Sequence, residues 1–292
     1  MADLSRQIIE SRFPFALSTG AYLRDHSFEG RAVYPAVEAL ITLARAVRSR
    51  HGQAALHQMA GAQFPRILTL SPAGDQQDIR IEMALSEGGI SASLLTSVHI
   101  KNSNMSRTLE HARVTFVQDA AQPKPAISCR AARKLDGECI HVPAVSIYRE
   151  LIPFGLSYQN IIGDLAVSQE GALADITGGS AAADDSLLGS PFALDAAMHA
   201  ACVWGQRFTD IVAFPVGFET RLIHAPTRKG GSYFARITPV DAVRESLVFD
   251  AWIFDQNGIL CESIGGLSMR DVTHGRMRPP GWIREGVWRK SS

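Results

Sequence analysis

The chain has 292 residues, 46% of them hydrophobic, with Lys plus Arg equal to Asp plus Glu at 29 each; one large domain or two fused smaller ones fit this length, and no global field favours nucleic acid or an anionic membrane. The first thirty residues carry Asp3, Arg6, Glu10 and Arg12 and no long apolar core, so neither a signal peptide nor a membrane span is expected. Cys129, Cys139, Cys202 and Cys261 show no C-x-x-C spacing, which points to reduced thiols and a cytoplasmic protein.

In chain order, "PAVEALITLARAVRSR" from Pro35 is apolar on nearly every side, interrupted by Glu38 and Arg45, and predicts a buried helix. The runs "RILTL", "IRIEMAL", "ISASLLTSV" and "ARVTFVQ" follow, the middle two flanking Ser86-Glu87-Gly88-Gly89; they read as an antiparallel meander. The stretch around Pro123, Pro125 and "RAARKLDGE" has no sustained period and reads as a linker. Beyond it, "DLAVSQ" and "ALADIT" form a hairpin signal, and Pro191 opens "PFALDAAMHAACVWGQR", a second helix apolar nearly all round. Four strand patterns end the chain, "VGFETRLIHA", "SYFARITPV", "SLVFDAWIFD" and "ILCESIGGLSMRDV", the last two joined through Asn257-Gly258, a hairpin cue. Each half thus offers one buried helix and one antiparallel sheet, and a sheet wrapped round a helix explains the missing polar face. The boundaries expected are 1–120 for the first unit, 121–145 for the linker and 146–292 for the second unit with a basic tail.

Polar residues inside such helices are the informative ones. Asp195 and His199 are four apart in the second helix and share one face. Burial of Asp195 would favour its neutral form and fit it to donate a proton, with His199 orienting it; the competing expectation is an exposed carboxylate near a helix start.

Residues 26 to 35, "HSFEGRAVYP", place His26, Gly30 and Pro35 at a spacing that resembles the N-terminal signature of polyketide synthase dehydratase domains, relatives of the fatty acid synthase dehydratases. "YRELIPFGLSY", "LDAAMHAA" and "FPVGFE" are similar to further blocks of that family, in the same order. The resemblance implies an α+β double hotdog, two tandem sheets each around a central helix, with the active site between them. It assigns His26 as catalytic base and Asp195 as catalytic acid, with Tyr158 and His199 in support. Gly30 and Pro35 would shape the turn into the first helix and an oxyanion site, and Phe154, Gly155, Leu156 and Pro215 would line the substrate channel. The family has Gly-Pro after the tyrosine matched by Tyr158, whereas Gln159-Asn160 stand here, so the local channel shape is expected to differ. The leading segment is short for the family, and an N-terminal strand is expected to be missing or replaced.

A neutral imidazole taking the α proton and a carboxylic acid donating to the β-hydroxyl together make a hydro-lyase, releasing water and leaving an α,β-enoyl thioester. No cofactor or metal is implied; the substrate would ride the phosphopantetheine arm of an acyl carrier protein. The partners implied are that carrier, other polyketide or fatty acid synthase domains and a second copy of the chain as a homodimer. The same acid–base pair also suits a related cyclase or double-bond isomerase, while the fold admits a thioesterase or a non-catalytic acyl-binding module. His51, His57, His99, His111 and His141 read as solvated surface residues. "GGSAAADDS" reads as a flexible loop, able to gate the site entrance. The basic, tryptophan-bearing tail, with Arg276, Arg278, Arg284, Arg289, Lys290, Trp282 and Trp288, reads as a packed or frayed stub, with carrier docking as the alternative.

Overall fold

In the computed structural model, residues 8–72, 75–99, 105–118, 127–243 and 246–285 are described. Pro35, in extended backbone, leads into the first central helix, Ala36–Arg50. The second central helix, Pro191–Phe208, is capped by the Ser190 side chain and carries Pro191 in its first turn, where a missing N–H costs nothing. Every residue from Pro191 to Gln206 is buried, because strands, the first central helix and the short helix Gly281–Glu285 pack around it.

The first half supplies β1 (Ile8–Ser18), the short pair β2 (Ser27–Phe28) and β3 (Arg31–Ala32), β4 (Gln58–Gln63), β5 (Gln76–Ser86), β6 (Gly89–His99) and β7 (Ser106–Val117). The second supplies β8 (Ile140–Pro143), β9 (Ile161–Ser168), β10 (Gly171–Thr177), β11 (Phe214–Ile223), β12 (Ser232–Val243), β13 (Ser246–Asp255) and β14 (Leu260–Arg270). All but β2 and β3 join one antiparallel sheet in the order β1-β5-β6-β7-β4-β11-β14-β13-β12-β10-β9-β8. The two halves are seamed by β4 against β11, with Met59 opposite Arg221 and Ala62 opposite Phe218. This is the double hotdog, and a single apolar core runs through both helices and both half-sheets.

Four elements differ from the sequence reading. A leading strand is present: β1 pairs along β5, and Pro14 is tolerated because β1 is an edge strand. "RILTL" does not enter the sheet; it is held to the helix entrance by the Val33–Thr69 bridge and by Tyr34 N donating to Leu68 O. β4, "QMAGAQ", lacks the β-branched and aromatic residues that mark a strand, yet its backbone closes the seam. The span 121–145 is not all connector, since β8 pairs with β9 through Val142 and Leu165.

Candidate active site

His26 follows the 3-10 turn Ala21–Asp25 and precedes the β2–β3 hairpin. The hairpin tip, Glu29-Gly30, has positive φ at both residues, and glycine takes that conformation without strain. The reversal brings Val33 back alongside His26, so that Val33 N donates to His26 O at 2.9 Å and His26 Nδ1 lies 3.1 Å from Val33 O. A carbonyl only accepts, so Nδ1 carries the proton and Nε2 keeps its lone pair. The ring packs 4.2 Å from the Phe154 ring and 5.1 Å from that of Tyr158. Burial among these groups lowers the His26 pKa to about 4, opposed by the nearby Asp195 carboxylate and reinforced by His199. His26 is therefore neutral through the physiological range.

Asp195 and His199 are 5% exposed each, which answers the question left open by the sequence in favour of burial. His199 Nε2 stands 3.0 Å from Asp195 Oδ2, but outside hydrogen-bond geometry. The other ring nitrogen, Nδ1, is 3.4 Å from Tyr148 Oη. That hydroxyl already accepts from Ile161 N at 2.9 Å, which leaves its proton for His199 Nδ1 and the ring proton on Nε2, facing Asp195. Tyr158 is fully buried and its hydroxyl has no hydrogen-bond partner among the described residues; burial, followed by the nearby Glu38 and Asp195 carboxylates, keeps it strongly protonated.

Both halves wall one cavity of about 870 Å³. His26, Phe28 and Ala36 line it from the first half, Phe154, Asp195 and Pro215 from the second. His26 and Asp195, far apart in sequence, thus face one space. Other expected residues fall outside that lining. Leu156 is 83% exposed, because the 3-10 turn Leu156–Tyr158 carries its side chain outward. Gly155 lies flat against Asp25, within hydrogen-bond reach of it. Gly30 sits at the exposed hairpin tip and Pro35 behind the lining residues Tyr34 and Ala36, so their part is to shape the backbone. Gln159 and Asn160, at the departure from the family pattern, stitch the loop: Gln159 Nε2 donates to Phe154 O at 2.8 Å, and Asn160 Nδ2 to Ser157 O at 2.9 Å.

His111 is a correction. It is buried, bonded to Thr96 Oγ1 at 2.8 Å and Arg66 O at 3.3 Å, and lines the cavity, because β7 turns it inward at a bulge-bearing pairing with β6. His57 and His141 are exposed as expected. Glu38, only an interruption in the apolar run on the sequence, is 2% exposed and accepts from Tyr22 Oη at 2.9 Å. Burial pushes its pKa up to about 7. None of residues 178–186 lines the cavity, and Arg45 Nε holds their loop through Asp184 Oδ2 at 2.8 Å. Of the tail, Trp282 Nε1 donates to Glu150 Oε2 at 2.7 Å and Arg276 pairs with Glu29 at 2.7 Å, while Trp288, Arg289 and Lys290 lie outside the described residues. Among the described residues no helix is long and apolar enough to cross a membrane.

The family model described as the polyketide synthase dehydratase N-terminal domain matches residues 144–279. The chain has the fold of polyketide synthase dehydratase domains. Its structure is similar to that of an N-terminal dehydratase from the difficidin assembly line, with a TM-score of 0.69 at 14% identity over 91% of this chain and 95% of the other. It is also similar to the dehydratase domain of PpsC from Mycobacterium tuberculosis in complex with C12:1-CoA, with a TM-score of 0.63 at 19% identity over 89% and 92%. A third likeness is to an isomerase-inactive variant of GphF DH1, with a TM-score of 0.67 at 18% identity over 93% and 97%. No curated protein matches the chain. Within this dehydratase fold, the family match covers the half that carries Tyr158, Asp195 and His199, whereas His26 lies in the half beyond it.

Proposed function

We propose that the protein eliminates water from a β-hydroxyacyl thioester delivered on the phosphopantetheine arm of an acyl carrier protein. The observation that carries this reading is His26 and Asp195 facing one cavity, the first with a free Nε2 lone pair. Nε2 takes the proton from the α carbon, the C–H electron pair becomes the new double bond, and the β C–O bond breaks. Asp195 gives its proton to the departing hydroxyl, which leaves as water. Each transfer contributes roughly 10²- to 10⁴-fold in rate.

The electrostatics suit this sequence of charges. In the resting site burial keeps His26 neutral and ready to accept. Once Asp195 has given up its proton, its negative charge stabilises the imidazolium that has just formed. The proton then returns from His26 to Asp195 by exchange with water, which resets both groups. His199, its ring set by Tyr148, presents Nε2 3.0 Å from the Asp195 carboxyl.

The decisive experiment incubates the protein with a β-hydroxyacyl carrier protein and follows the intact mass: loss of one water, absent with His26→Ala and Asp195→Asn, is expected. An unchanged substrate mass would remove the reading. One of the similar structures is named as an isomerase-inactive variant, so the double-bond position in the product is read at the same time; an α,β-enoyl product that moves to β,γ identifies isomerisation on the same pair.

A further inference from the structure

Asp25 immediately precedes His26 and takes no part in the chemistry above. It belongs to the first half, yet one loop of the second half bonds to it three times. Gly155 N donates to Asp25 O at 2.7 Å. Ser157 N and Ser157 Oγ both donate to Asp25 Oδ2, at 2.9 and 2.6 Å. The loop backbone comes so close that a Cβ at Gly155 would stand 2.4 Å from Asp25 Oδ1.

That loop carries Phe154 and Tyr158, the two rings packed on His26. It is itself braced from within the second half, through Gln159, through Asn160, and through Thr177 N donating to Asn160 O at 2.9 Å. The His26 turn is therefore fastened to a stiff loop of the half that bears Asp195. Without this fastening, β4–β11 pairing would still join the sheets, but it lies on other segments of the chain and does not bear on the His26 turn.

We infer that Asp25 is a positioning residue, a clamp between the halves that sets the His26 ring across the cavity from Asp195. Its catalytic consequence rests on the elimination reading, whereas the clamp itself does not. A carboxylate accepting two donors from one residue forms stronger bonds than a neutral acceptor, and a misplacement of about 1 Å in a reacting group costs about 10²-fold in rate.

The test compares the full-length parent with Asp25→Ala, Asp25→Asn and Ser157→Ala, using turnover of a soluble β-hydroxyacyl N-acetylcysteamine thioester and, without substrate, amide hydrogen exchange over residues 152–161. Asp25→Ala is expected to lower kcat about 10- to 100-fold with KM within about twofold, and to speed exchange at Ser157. Asp25→Asn keeps an acceptor oxygen and is expected to recover kcat to within about threefold of the parent. Ser157→Ala should fall between them. Parental kcat in Asp25→Ala, or parental exchange at residues 155–157, overturns the clamp; so does a kcat loss that Asp25→Asn fails to recover. If Asp25→Ala does not fold, parental kcat and exchange in Ser157→Ala overturn it instead. If no preparation shows elimination, the functional reading falls and the exchange measurements alone decide the clamp.

Discussion

The depressed basicity of His26 yields a quantitative prediction in two observables. Its pKa, about 4 in the fold, compares with about 6.5 for an unperturbed histidine. At pH 5 a group titrating at about 4 is about 90% neutral, whereas one at about 6.5 is about 3% neutral, so the base remains competent in acid that would silence an ordinary imidazole by about thirtyfold. The acidic limb of kcat/KM is therefore expected to bend near pH 4 to 5. Stability follows the same linkage. Between pH 6.5 and 4 the unfolded chain takes up a proton that the folded chain refuses, so folding loses free energy as the pH falls through this window and is unaffected above it. At about 1.36 kcal/mol per pH unit the gap corresponds to about 3 kcal/mol, an upper bound because part of the ring faces the cavity. Urea denaturation at pH 7, 6, 5 and 4.5, run on the parent and on His26→Phe, should show the variant losing less stability than the parent on acidification. An NMR midpoint for His26 at or above 6 in the parent would refute the reasoning.

Further expectations concern other residues. His26→Ala and Asp195→Asn should each reduce elimination by at least about 10²-fold, with melting temperatures close to the parent's; activity within tenfold of the parent, measured by product mass, counts against the assigned roles. Glu38, raised to about 7 by burial, favours folding in its neutral form, so its contribution is present below about pH 4.5 and fades as the pH rises through 7. Glu38→Gln should accordingly gain on the parent by up to about 3 kcal/mol between pH 5 and pH 8 in chemical denaturation, and an equal difference at both pH values would contradict it. Asn160→Ala leaves Ser157 O and Thr177 Oγ1 short of their partners at 2.9 and 3.2 Å, which should cost about 1–3 kcal/mol in the same assay; a loss below 0.5 kcal/mol would show the loop to be held by its other bonds.

The two central helices, most of the strands and the facing of His26 and Asp195 onto one cavity could be expected from the chain alone. Apolar periodicity is a local property, and a helix apolar all round has few environments other than a sheet wrapped about it. The His26–Gly30–Pro35 and Asp195–His199 spacings are likewise local, and resemblance to a family supplied their joint reading. What escaped was decided by partners distant in sequence. β4 is a strand because β7 and β11 flank it, although "QMAGAQ" has little strand character of its own. β1 survives Pro14 because only one side of it is paired. Glu38 and His111 are buried because their helix face and strand bulge meet other elements, and nothing in their neighbouring residues announces it. Leu156 and Gly155 sit side by side in sequence, yet the first projects into solvent and the second presses on Asp25. Periodicity names the face of an element that is apolar, whereas the tertiary fold selects which polar groups that face must enclose, since their burial depends on atoms contributed from the other half of the chain.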